Sequence, residues 1–280
     1  MKNIFSILLV ALLFAACDKI DGPYSENPQN TNDTGVVRKV LIEDFTGQKC
    51  GNCPRAAEAI EAIEAIYGNK VVSVGVHVGY FAEPNPQGNP KFTYDFRTPV
   101  GDYWDNEFQN SAIGLPNGAI NRVKSNGFVP QNYTNWSTLV SQILTQEADA
   151  DIAVTNTYNA GTRQVNTTVN TKILNDLPGN YMLSVYVTED SIVNWQKDYT
   201  ITPDNDISNY VHRHVLRGSM NGNVGTAVGT GALAAGQSYS QSFSKTLDPS
   251  WVQGHCAIVA FIYNTTTKEV VQVEEQKIIE

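Results

Sequence analysis

Cysteine and histidine are scarce in this chain, four of each among 280 residues. Four cysteines, at positions 17, 50, 53 and 256, do not make the disulfide framework of a small secreted scaffold. No second close pair of cysteines or histidines follows Cys50 and Cys53 at ligand spacing, which argues against a structural zinc site. Positive charge is also in deficit. Nineteen Lys and Arg stand against 28 Asp and Glu, a net charge of −9. That balance argues against nucleic acid or an anionic lipid surface as a partner. The Gly-rich stretch 218–236 lacks a following Lys-Ser/Thr pair, so it reads as a flexible loop and not as a phosphate cradle. After the first sixteen residues no run is apolar enough to cross a membrane.

The apolar run that does exist is N-terminal. Met1-Lys2-Asn3 carries one positive charge, and Ile4 to Ala16 is apolar or small apart from Ser6. It is shorter than the roughly 20 residues a membrane span needs and reads as a secretory signal. It ends Leu13-Phe14-Ala15-Ala16-Cys17, which resembles a bacterial lipoprotein cleavage box. On that reading residues 1–16 are removed, and Cys17 becomes the first mature residue and carries lipid. An ordinary signal peptide with an incidental cysteine is the alternative. Residues 18–35, rich in Asn, Ser, Thr, Gly and Pro, cannot form a core and read as a tether. As a random coil they span about 25 Å. About 245 residues remain, enough for two domains.

The most informative motif is Cys50-Gly51-Asn52-Cys53. It follows the β-branched segment Val36–Phe45 and precedes a helical pattern. In that pattern Ala56, Ile60, Ile63 and Tyr67 share one face, Pro54 occupies the first turn and Gly68 stops the helix. A helix N-terminus offers free N–H groups and a partial positive charge, which favour the thiolate that attacks disulfides. Lys49 adds a cation beside Cys50. The short apolar run Val71–Val78 reads as a strand buried on both faces, and strand–helix–strand opens an α/β fold.

These residues resemble the thioredoxin superfamily over about 36–148. Asp44-Phe45, six positions before Cys50, matches the place of that superfamily's buried acid. Leu115-Pro116, within Gly114–Asn117, matches its cis-proline loop, and Tyr133–Gln146 its closing helix. The resemblance implies that Cys50 attacks, Cys53 resolves and Asp44 relays a proton. Pro116, preceded by Leu115 in a cis bond, shapes the groove for a partner peptide. No cofactor is implied. Two departures stand out: Lys49 replaces the usual Trp, and Gly51-Asn52 the usual Gly-Pro. An aromatic-rich insertion at 79–112, with a helix near 99–110, reads either as a wall over the cysteines or as packing.

From about Asp151 alternation replaces helical spacing. Candidate strands are 152–158, 164–173, 181–188, 210–216, 239–246, 256–263 and 270–276, which predict an all-β immunoglobulin-like sandwich over 149–280. His212 and His214 would share one face of a strand, and packing is the expected role for both. Cys256 reads as a buried structural thiol. The leader, the Cys-x-x-Cys segment and His212-Arg213-His214-Val215-Leu216-Arg217-Gly218 together resemble the 28-kDa outer-membrane lipoprotein family of the Bacteroidetes. That resemblance implies a lipid-anchored place in the cell envelope, at the outer membrane. Two functions follow. One is a thiol–disulfide oxidoreductase acting on the thiols or disulfides of exported proteins, touching the membrane through its anchor alone. The other is an adhesin-like binding lipoprotein in which Cys50–Cys53 is a staple.

Overall fold

The computed structural model describes residues 35–279. Cys17 and the expected leader lie outside the described residues, as does most of the tether. Val36–Glu280 form one compact unit, rich in β-structure with some helices. In chain order the first half holds β1 (Val40–Thr46), α1 (Pro54–Tyr67), β2 (Val71–His77), the short α2 (Gly79–Ala82), α3 (Pro99–Phe108), α4 (Asn110–Ile113), β3 (Asn117–Ile120) and α5 (Trp136–Leu144). The second half holds β4 (Ala150–Asn159), β5 (Gln164–Ile173), β6 (Tyr181–Glu189), β7 (Ile192–Lys197), β8 (Asp206–His212), β9 (Val215–Ser219), β10 (Thr226–Ala227), β11 (Ser238–Thr246), β12 (Cys256–Asn264) and β13 (Val270–Lys277).

β1 is buried along nearly its whole length because apolar side chains leave both of its faces. Val40 and Ile42 meet Ile60 and Ile63 of α1, with Trp136, Val140 and Ile143 of α5. Leu41 and Phe45 point into a second cluster that also holds Trp104 and Phe108 of α3. α1 forms as the spacing predicts, with Pro54 in its first turn and Gly68 (φ +56°) at its end. α3 starts at Pro99, where the Thr98 side chain accepts from the Gly101 N–H.

The boundary expected near 148/149 is not a break in the structure. One eight-stranded sheet runs β13-β12-β6-β9-β2-β1-β3, with β10 paired to β6. β9 of the second half lies parallel to β2 of the first, joined at Gly75 and Val215. The physical reason is apolar continuity: Tyr186, Phe261, Tyr263 and Val273 belong to the same cluster as Leu41, Phe45 and Trp104. The sheet β11-β5-β4 covers the other face of β6 and β12, burying Val165, Val169 and Ile173 against Val185, Val187 and Ile258. The strand expected at 210–216 is two strands. His214 has φ +50° and breaks β8 from β9, so His212 and His214 do not share a face.

A buried ion pair of the first half lies against aromatic rings of the second. Arg122 donates to both carboxylate oxygens of Glu43 at 2.7 Å, and both side chains are at most 1% exposed. The guanidinium lies 3.8 Å from the Trp104 ring centroid and within 5.2 Å of those of Phe261 and Tyr263. Most of the aromatic insertion is therefore packing: Phe92, Phe96, Trp104 and Phe108 are buried. Tyr80 remains exposed and Phe81 partly so.

Candidate active site

Cys50 and Cys53 form a disulfide with Cα atoms 5.4 Å apart. Cys53 is the N-cap of α1, and the Cys53 N–H donates to the Cys50 carbonyl at 3.2 Å. The pair thus sits at a helix N-terminus, where a thiolate is favoured.

Both cysteines are buried, Cys50 at 3% and Cys53 at 2% exposure. Part of their cover is the arm formed by β7 and β8. The Lys197 N–H donates to the Gln48 carbonyl at 2.8 Å and the Tyr199 N–H to the Gly51 carbonyl at 2.9 Å. Gln196 Nε2 donates to the Cys50 carbonyl at 3.0 Å. The Tyr199 ring lies so close over Gly51 that a Cβ there would sit 2.5 Å from it. On the other side Gly47 meets the backbone of Phe81, 2.6 Å from where its Cβ would be. Both glycines are therefore needed for close approach. Lys49 donates its N–H to the Phe81 carbonyl at 2.9 Å, and its ammonium lies 4.7 Å from the Tyr80 ring centroid.

Asp44 is buried on β1, opposite Gly75 of β2 and Gly118 of β3. Its Oδ1 has no hydrogen-bond partner. Burial pushes its pKa from the ordinary 3.8 up to about 8. It lines a cavity of about 40 Å³ together with Cys53, His77, Gln196, Tyr210 and His212. His77 stacks on Phe96 at 4.6 Å, and its Nδ1 is unpartnered. Burial, with lesser contributions from His212 and Arg217, holds it neutral, well below the ordinary histidine range. His212 lies 5.4 Å from His77 between ring centroids, with Nε2 3.1 Å from the Trp195 carbonyl oxygen. Its pKa is pushed down to about 4 by burial. Among the described residues no three His, Cys, Asp or Glu side chains converge as metal ligands.

The Leu115–Pro116 bond is cis, as expected; Thr202–Pro203 is cis as well. Pro116 and Leu115 line an open groove of about 420 Å³ shared with Asn52 and Arg55 beside the disulfide and with Gln131 and Tyr133. The structure therefore gathers Cys50, Cys53 and Asp44 on one side and Leu115 and Pro116 along the adjoining groove. Gln196, Tyr199 and Tyr210 are additions that no local pattern marks, since the arm lies some 150 residues beyond the motif it covers, and His77 joins them from the end of β2. Cys256 is buried away from this site, 3.5 Å from the Val252 carbonyl oxygen, and burial pushes its thiol up to about 12.

A model of the family described as outer membrane protein Omp28 matches residues 103–280. The Cys-x-x-Cys segment precedes the matched residues. Among solved structures, HBP35 of Porphyromonas gingivalis is similar with a TM-score of 0.61 and 18% identity, over 86% of this chain and 75% of that one. A domain of the outer membrane lipoprotein Omp28 from the same organism shares 28% identity, with a TM-score of 0.33, over 48% of this chain and 91% of that one. No curated protein matches the sequence.

Proposed function

The chain belongs to the Omp28 family of outer membrane proteins, a cell-envelope setting, and from that premise we propose that it is a lipid-anchored thiol–disulfide exchange protein. Residues 36–148 carry the chemistry in a thioredoxin-like arrangement, and the β-rich residues 149–280 brace and cover it. Cys17 is the lipid-bearing residue and 18–35 the tether.

In the exchange, the Cys50 thiolate attacks a disulfide of an exported protein. One client sulfur leaves as thiolate and the other bonds to Cys50. Cys53 passes its proton to the Asp44 carboxylate and attacks Cys50. The mixed disulfide breaks, the second client sulfur leaves as thiolate, and the Cys50–Cys53 bond returns. The reverse sequence oxidises a client dithiol. Lys49 assists the Cys50 thiolate, and Leu115 with Pro116 shapes the groove that receives the client. No cofactor takes part.

The observation that carries this reading is Asp44. A staple needs no carboxyl beside it, and burying one without a hydrogen-bond partner for Oδ1 is costly. Its place in one cavity wall with Cys53 suits a proton carrier. The burial of both cysteines favours the second reading, in which the disulfide is structural and the protein is an adhesin-like binder. The full chain, freed of its leader, separates them. Exchange with a model disulfide that Cys50→Ser abolishes supports the first. A folded protein that catalyses none supports the second.

A further inference from the structure

Asp44 stands where two cavities meet. The first, with Cys53 and His77 in its wall, has been described. The second, of about 50 Å³, is lined by Glu61, Glu64, Ser73 and His214. The two share Asp44, Ala57, Gly75, Tyr210 and Arg213, and Asp44 is the one carboxyl common to both. Each is large enough to hold water, which needs about 10–15 Å³ and polar partners. Those partners are present: Asp44 Oδ1 and His77 Nδ1 in the first are buried and unpaired, and the second has the buried Ser73 hydroxyl beside the Glu64 carboxylate. Gly75 keeps the shared wall bare, since a Cβ there would lie 3.2 Å from the Arg213 carbonyl oxygen.

The second cavity ends at a pair that reaches solvent. His214 Nε2 lies 3.6 Å from Glu64 Oε1, each side chain about a quarter exposed. His214 is fixed in place because its carbonyl accepts the Gly75 N–H at 2.8 Å. We propose that Tyr210–His214, contributed by the second half of the chain, completes a proton passage from Cys53 through Asp44 to the Glu64–His214 pair. His214 and Glu64 are then positioning residues for the step at Cys53.

This rests on the exchange reading. The proton leaves Cys53 Sγ for the Asp44 carboxylate, moves through cavity water to Glu64 and His214, and is released to solvent. Each transfer breaks one bond to hydrogen and makes one, and no electron is involved. The charged and titratable groups facing Asp44 are Glu61 and Glu64 of α1, His77 of β2, Tyr210 and His212 of β8, and Arg213 and His214 of the turn. Those facing His214 are Glu64, Asp190 and Glu275. Burial alone would depress His214, but these carboxylates outweigh it and hold its pKa above the ordinary value. The passage therefore ends in an imidazole that holds its proton more tightly than a free histidine does.

The test uses the full chain and its Glu64→Gln and His214→Ala variants, assayed against a small model disulfide across pH. Below the Asp44 pKa of about 8 the carboxyl must lose its proton before accepting another, so both variants slow on the order of tenfold near pH 7. Above pH 9 Asp44 is already ionised and they match the wild type. Imidazole added to His214→Ala restores the neutral-pH rate. Variants that track the wild type at every pH overturn the proposal, as does a loss at all pH values that imidazole does not mend. A second readout needs no exchange activity. The infrared carboxyl band that Asp44→Asn removes is followed after rapid mixing of oxidised protein into deuterated buffer at pH 6. Its deuteration slows on the order of tenfold in His214→Ala if the passage exists. An unchanged or faster rate overturns it. Slowed deuteration in a protein that exchanges no disulfides would leave the passage standing and remove the exchange reading.

Discussion

Replacing Asp44 by asparagine is expected to stabilise the protein, by an amount that grows with pH. The unfolded chain releases the Asp44 proton near the ordinary 3.8, whereas burial delays release in the folded chain to about 8. Between those values the folded state holds one more proton than the unfolded state, so stability falls as pH rises. Each pH unit contributes about 1.4 kcal/mol. From 3.8 to pH 7 the loss is about 4 kcal/mol, and it levels off at about 6 kcal/mol above pH 8. Asparagine has the shape of the protonated carboxyl and never ionises, so Asp44→Asn escapes the loss. The assay is urea unfolding of both proteins, disulfide intact, at pH 4, 7 and 9. Near-equal stabilities are expected at pH 4, with the variant ahead by about 4 kcal/mol at pH 7 and by about 6 at pH 9. The melting temperature at pH 7 should rise by about 10 °C, at 2–4 °C per kcal/mol for a domain of this size. A gap that stays constant with pH, or a wild type more stable at pH 7, refutes the reasoning. Native stabilities are about 5–15 kcal/mol, so a carboxyl this costly is kept for something other than stability.

Three further outcomes follow from the packing. Arg122→Met strands the buried Glu43 carboxylate and should cost about 3–5 kcal/mol in urea unfolding, most of it regained in the double variant with Glu43→Gln. Gly118→Ala would place a Cβ 2.5 Å from the Trp136 ring and 2.9 Å from the Glu43 carbonyl oxygen. It should destabilise by about 1–3 kcal/mol, and an unchanged midpoint would show that β3 and α5 yield easily. Tyr199→Ala uncovers Gly51. If the ring contributes about 1.4 kcal/mol to closure of the arm, dithiothreitol reduces Cys50–Cys53 about tenfold faster in the variant, and an equal rate would mean the arm does not guard the disulfide.

The legible parts of the fold are those encoded locally. Pro54, the Ala56–Ile60–Ile63 stripe and Gly68 mark α1 in the sequence because a helix repeats its contacts every three or four residues. The alternation of Gln164–Ile173 marks β5 to the residue, since one of its faces is buried and the other wet. The place of Asp44 is also readable, six positions before Cys50, and that of the cis Leu115–Pro116 bond through the Gly114–Asn117 loop that follows in order. The fusion of the halves is not readable. It depends on β9 lying beside β2 through a single paired position, Gly75 with Val215, which leaves no periodic trace. The arm is hidden for a similar reason. Its hold on the motif is mostly through backbone, from Lys197 and Tyr199 to Gln48 and Gly51, and backbone groups carry no residue signature. His212 and His214 look alike by alternation, yet the left-handed turn at His214 sends one toward His77 and the other to Glu64.

The measurement that tests the central claim most directly is the reduction potential of Cys50–Cys53 in the full chain, taken by equilibration in glutathione and dithiothreitol buffers at pH 7. A pair that works in exchange is expected between about −120 and −270 mV, the span of known oxidants and reductants. A value well below about −300 mV would mark the bond as a permanent staple and contradict the account.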